Sequence, residues 1–196
     1  AQVGLIAPDE TTRQWLLNAG VAAAAEMDLS GWTTDAGATV TTHVFDAATL
    51  APQVAAPHSP ANTKPVQAFD QVRVDVAYIG ACTGAKLDDL RSAAQVFKGR
   101  KVATGVRLMV APASQQDQQQ AESEGIMATL WEAGAEVLPT GCGACAGYGG
   151  SIPDGANVIA TTARNFKGRM GSATAQVYLA SPFTVAASAL RGVISE

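Results

Sequence analysis

From residue 68 onward the chain alternates between short apolar runs and longer stretches with a single apolar face, and that alternation restricts it to a layered α/β fold. Val74 to Ile79 reads as a buried strand from its Val, Ala, Tyr and Ile content. Leu87, Leu90, Ala94 and Phe97 then share one face of a helix that stops at Gly99. Val106 to Val110 is the second strand. Ser114 opens a long helix, with Asp117 placed to close a capping box and with Ile126, Leu130 and Trp131 as its inner face as far as Gly134. Ala135 to Leu138, Val158 to Thr161 and Gln176 to Leu179 are further strands. Ser181-Pro182, a hydroxyl cap followed by proline in the first turn, starts a last helix that runs to about Leu190. The rhythm predicts a mainly parallel sheet with helices on both faces, over residues 68–196.

Residues 1–67 do not share this rhythm and read as the tail of a preceding domain followed by a connector. A helix is predicted from Pro8 and Asp9 through Trp15 to Leu17, ending at Asn18-Ala-Gly20. Thr39 to Phe45 alternates as a strand does. Pro52, Pro57, Pro60 and Pro65 exclude a helix between them and predict an extended connector. The chain opens on Ala1 and runs straight into an apolar stretch, Val3 to Ala7, which is the expectation for a fragment or processed product of a longer chain.

The polar residues narrow the range of partners. Thirteen basic against 17 acidic side chains leave a net charge of -4, whereas nucleic acid and membrane surfaces both call for a cationic face. No apolar run approaches the roughly 20 residues that a membrane span needs. The expectation is a cytoplasmic protein with neither nucleic acid nor membrane as partner, and a local cationic pocket for an anion remains open.

Three cysteines carry the chemistry. An odd number argues against a purely intramolecular disulfide framework, and in a reducing compartment such a set points to metal or redox work. Cys82 follows the first strand of the α/β region. Cys142 and Cys145 follow the third, in the loop Gly141-Cys-Gly-Ala-Cys-Ala-Gly-Tyr-Gly149. Loops that leave parallel strands open on one edge, so convergence of the three sulfurs is geometrically cheap, and flanking glycines let backbone amides approach sulfur. Three thiolates without a fourth leave one metal coordination position free. Buried structural cysteines, a redox C-x-x-C pair and an incomplete zinc site are alternatives that spacing alone leaves open. Gly141-x-Gly143-x-x-Ala146 imitates a dinucleotide fingerprint, but no helix opens after it and no acidic residue follows at the required distance of about 20 residues.

Read together, Ile79-Gly-Ala-Cys-Thr-Gly-Ala-Lys-Leu-Asp-Asp-Leu-Arg91, Gly141-Cys-Gly-Ala-Cys145 and Thr162-Ala-Arg-Asn-Phe-Lys-Gly-Arg169 resemble motifs of the aconitase superfamily, most closely its 3-isopropylmalate dehydratase large-subunit branch. The resemblance covers most of residues 68–196, with Ala111-Pro-Ala-Ser-Gln115 and Ser181-Pro182, and is weaker over Leu5 to Thr12 and Ala51 to Val54. It implies the C-terminal half of a large subunit, an aconitase-type iron–sulfur domain, and a [4Fe-4S] cluster held by Cys82, Cys142 and Cys145. It also implies a hydro-lyase acting on a small hydroxy di- or tricarboxylic acid, with Arg164 and Arg169 clamping its carboxylates. A planar guanidinium suits that task, since it pairs bidentately and stays charged at any working pH.

Two residues depart from the pattern. Gly84 and Ala163 stand where the family usually has asparagine, which points to a paralogue for another small hydroxy-dicarboxylate, of the dimethylmalate or maleate kind. The family's acid/base histidines belong to the half that precedes this one, and its catalytic serine to a swivelling small subunit. Catalytic residues are therefore expected outside this chain, in a missing N-terminal half and a small-subunit partner. His43 and His58, the two histidines present, read as loop residues. A non-enzymatic iron–sulfur sensor or scaffold, and a C-x-x-C redox protein, are the rival readings.

Overall fold

Apolar residues alternate faces along each strand, and this pleat decides how the molecule is layered. The computed structural model describes residues 4–148 and 152–196. It divides into two compact units, Ala1–Asp46 and Ala47–Glu196.

The second unit is built on a seven-stranded sheet. Its strands are β1 (Gln53–Ala55), β2 (Thr63–Pro65), β3 (Val76–Gly80), β4 (Arg107–Ala111), β5 (Glu136–Val137), β6 (Asn157–Ala160) and β7 (Gln176–Leu179). The spatial order is β2-β1-β7-β6-β3-β4-β5. β3 to β7 pair in parallel with one another, while β1 runs antiparallel to both β2 and β7. The mainly parallel α/β sheet is the one predicted. Residues 51–65 are more than a connector, because they supply β1 and β2. Their prolines permit this: Pro52 precedes the ladder, Pro57 and Pro60 lie between the two strands, and Pro65 ends an edge strand, so no central donor is lost.

Ala77 and Ile79 of β3 point into one core with Leu90, Phe97, Leu108, Leu130 and Val185. That face is covered by helices α2 (Leu87–Phe97), α3 (Gln115–Ser123), α4 (Ile126–Glu132) and α5 (Pro182–Arg191). Val76 and Tyr78 point the other way, into a core with Met109, Ala144, Cys145, Ile152 and Met170. Among the described residues this second face is closed by loops and a single 3-10 turn, Gly143–Ala146, in place of the α-helices expected there.

The long helix predicted after Ser114 is broken at Gly125, whose φ of 72° is left-handed. The break re-phases the second half, so Ile126, Met127 and Leu130 are buried whereas Trp131 is 71% exposed. Ser114 does cap α3, accepting from the Asp117 amide at 3.1 Å. Asp117 does not close the box. It accepts instead from the Leu87 amide at 3.0 Å, which ties the start of α3 to that of α2.

The first unit holds α1 (Glu10–Asn18), capped by Asp9 and Thr12 in a reciprocal box. Thr39 to Phe45 forms no strand. Its alternating pattern has no neighbouring strand to pair with among the described residues, and Val40, Val44 and Phe45 are exposed.

Candidate functional site

After β5 the chain crosses back to the other side of β3, so the strand order reverses between β3 and β6. In parallel sheets a crevice opens outside the carboxyl ends at such a reversal. The loop with Cys82 leaves β3 there, and the loop Thr162–Arg169 leaves β6. Thr161 fastens the two ends together. Its hydroxyl accepts from the Gly80 amide at 2.9 Å and reaches the Gly80 carbonyl at 3.3 Å.

The loop from β3 to α2 is tightly constrained. Ala81 adopts a left-handed φ of 72°, at a cost of order 1–2 kcal/mol for a residue with a β-carbon. Strain of this kind gathers at functional sites. A β-carbon added to Gly84 would fall on the Thr161 carbonyl oxygen and lie 2.6 Å from its Oγ1. Gly84 is thus what lets this loop close against the end of β6.

Cys142 precedes the 3-10 turn Gly143–Ala146 and Cys145 lies within it, and Gly147 ends the turn with a φ of 81°. Cys142 is exposed, Cys145 is buried, and Cys82 is exposed. All three follow strands at the carboxyl edge, and among the described residues no three His, Cys, Asp or Glu side chains are grouped closely enough to hold a single metal ion.

The Arg169 loop packs directly on the cysteine loop. A β-carbon on Gly147 would meet the Gly171 Cα at 3.2 Å and its nitrogen at 3.3 Å, so the two backbones touch at a pair of left-handed glycines. Arg169 Nη2 donates to Cys145 Sγ at 3.6 Å, and its guanidinium lies 5.6 Å from the centre of the Phe166 ring. Its Nε is buried with no partner among the described residues. Arg164 is exposed. Of the two arginines, Arg169 stands at the cysteines.

Two further residues shape this place and escaped notice in the sequence. Asn165 is fully buried, and its amide donates to the carbonyls of Ala56 at 2.8 Å and Val177 at 3.0 Å. It pins the arginine loop to β7 and to the residue after β1. Asn165→Ala would leave two carbonyls unpaired, and a stability loss of about 1–3 kcal/mol is expected. Urea unfolding checks this, and an unchanged midpoint would show that the loop is held by other means.

The other is Tyr78. Gly80, two residues on, leaves room for its ring, since a β-carbon there would fall within the phenol. Burial pushes the Tyr78 hydroxyl up to about 12, and the nearby Cys145 and Cys142 thiols add to the rise. The amides of Cys145 and Ala81 face the oxygen and oppose that shift, yet the hydroxyl completes no hydrogen bond. A Tyr inside an aliphatic strand just before Gly80 was the available signal.

A separate groove of about 630 Å³ lies beside α2 and α5, lined in part by Val96, Arg100, Phe183, Ala187 and Leu190. Among the described residues its lining holds no thiol or imidazole.

Residues 62–192 match the model of the aconitase family (aconitate hydratase). The chain belongs to the aconitase family. It is 44% identical over its whole length to a 3-isopropylmalate dehydratase large subunit of Nitratidesulfovibrio vulgaris Hildenborough, of which it covers 46%. It is likewise 41% identical over its whole length to 3-isopropylmalate dehydratase large subunit 2 of Archaeoglobus fulgidus, covering 47% of that chain. A large subunit from Picrophilus torridus is 48% identical over 77% of this chain and 37% of its own. This member of the family thus spans about half the length of the curated relatives it matches. No helix among the described residues is long and apolar enough to cross a membrane.

Proposed function

We propose that this chain is the cluster-bearing part of a hydro-lyase large subunit, acting on a small hydroxy di- or tricarboxylic acid of the 3-isopropylmalate, dimethylmalate or maleate type. The observation that carries the reading is the meeting of Cys145 with Arg169, a soft metal ligand beside a carboxylate-binding cation, at the strand-order reversal of a family member.

The residues fit an iron–sulfur cluster by two tests. Cysteine thiolates are the donor set that such clusters take. Two buried donors without partners, Tyr78 Oη and Arg169 Nε, lie at the cysteines, where the sulfur-rich surface of a cluster supplies acceptors. Cys82, Cys142 and Cys145, all free thiols, would hold it. When bound, the cluster supplies a Lewis acid for a departing hydroxyl.

The chain's own residues bind and orient. Arg169 offers its outer N–H pair to a substrate carboxylate, and Phe166 and the glycine contact hold that fork in place. Arg164, in the same loop and exposed, offers a second cation for the other carboxylate. The proton on the neighbouring carbon needs a base, and that base comes from outside this chain, along with the small-subunit partner that closes the site.

Arg169→Lys and Arg164→Lys test the clamp in the complete enzyme. Losing one bidentate, charge-assisted pair amounts to about 1.5–3 kcal/mol, so KM is expected to rise roughly 10- to 100-fold in each variant. Unchanged KM values in both would remove these arginines from the site.

A further inference from the structure

The hydroxyl of Tyr78 stands out among the buried polar atoms of the sheet. It lies on the face of β3 that carries Cys145 in its core, not on the helical face. A β-carbon on Gly143, in the middle of the C-x-x-C, would stand 3.7 Å from Tyr78 Oη. The amide of Ala81, next to Cys82, faces the same oxygen, and of the two thiols that act on it Cys145 has the larger effect. The phenol therefore sits beneath both cysteine loops at once.

A buried hydroxyl without a partner is costly, of the order of 1–3 kcal/mol, and a retained one calls for an acceptor in the working state. The amides around it are donors, so none can accept its proton. Thiolate sulfur can, and Cys145 belongs to the same core as Tyr78. A phenol keeps its proton near neutral pH, which makes it a donor there.

We propose that Tyr78 is a positioning residue for the cysteine site, its O–H donating to the Cys145 sulfur once the thiolates are engaged by the cluster. This rests on the cluster reading given above. Hydrogen bonds to cluster sulfur raise its reduction potential and hold the ligand in place, so the hydroxyl adjusts the site without touching substrate.

Tyr78→Phe removes the oxygen alone and keeps the ring that fills the core. Without a cluster, the variant is expected to unfold in urea at the same or a higher concentration than the parent chain, because its hydroxyl has no partner to lose. After anaerobic reconstitution with iron and sulfide, its midpoint potential is expected to be more negative. Iron loss to oxygen is expected to quicken about tenfold, the equivalent of one charge-assisted hydrogen bond. Equal potentials and equal iron-loss rates in the two loaded proteins would overturn the role of Tyr78 while leaving the cluster reading intact. A clear drop in stability of the unloaded variant would also overturn it, by revealing a partner within the protein. Failure of the parent chain to take up any cluster would overturn the cluster reading, and this inference with it.

Discussion

Loaded with iron and sulfide under anaerobic conditions, the 196-residue chain by itself is expected to hydrate citraconate, maleate and dimethylmaleate at no measurable rate. Hydration across such a double bond needs a Lewis acid, a base aligned with the carbon that gains or loses a proton, and a donor for the hydroxyl. Each acid or base contributes on the order of 10²- to 10⁴-fold. Among the described residues no acidic or imidazole side chain joins two of the cysteines in a group. His43 lies in exposed irregular structure of the first unit, and His58 in an exposed turn. Asp154 is bound to the hydroxyls of Ser172 and Thr174, which hold its carboxyl below the usual range and weaken it as a base. Tyr78 is held protonated by burial. Two missing proton-transfer groups together remove roughly 10⁴- to 10⁸-fold of rate. Turnover by the loaded chain at about 1 s⁻¹, ordinary for an enzyme, would show that the catalytic groups are already here.

Cys145→Ser is expected to abolish the brown iron–sulfur chromophore of the reconstituted chain, and Cys82→Ser and Cys142→Ser to do the same. Serine is a harder ligand with a far higher pKa, and each thiolate is one of only three on offer. The substitutions at the two exposed positions cost little folding energy, so circular dichroism should be unchanged while iron content collapses. The buried Cys145 packs against a core, and a modest loss of stability is expected there as well. Three Ser variants that keep full iron stoichiometry and an unaltered visible spectrum would leave the thiols as structural side chains.

The sheet was legible because β-branched and aliphatic runs have no other reading when they alternate with amphipathic helices. Gln176–Leu179 and the hydroxyl-proline start of α5 fall where the sequence places them. The strands β1 and β2 were hidden by their prolines, which exclude a helix but say nothing of an edge ladder. Gly125 hid the break between α3 and α4, since one glycine inside a helical period is compatible with either outcome. At the site, cysteine spacing pointed to the carboxyl edge. It did not reveal that Arg169 alone of the two arginines reaches Cys145, which depends on a fold of the loop pinned by Asn165. Tyr78 was invisible in that role, because an aromatic in a buried strand is ordinarily core.

The paired glycines at 147 and 171 bear on how finely the site is registered. Because main chain meets main chain there, with 3.2 Å between a hypothetical β-carbon on one and the Cα of the other, no rotamer change can take up slack between the two loops. The spacing of sulfur from guanidinium is inherited from the backbone, as the pitch of a gear is cut into the metal. A methyl group at Gly147 would press on the Gly171 main chain and change the distance between the loop of Cys145 and that of Arg169. The Cys145 sulfur and the Arg169 guanidinium are therefore held in one register by main chain, and a shift in either loop is passed on to the other.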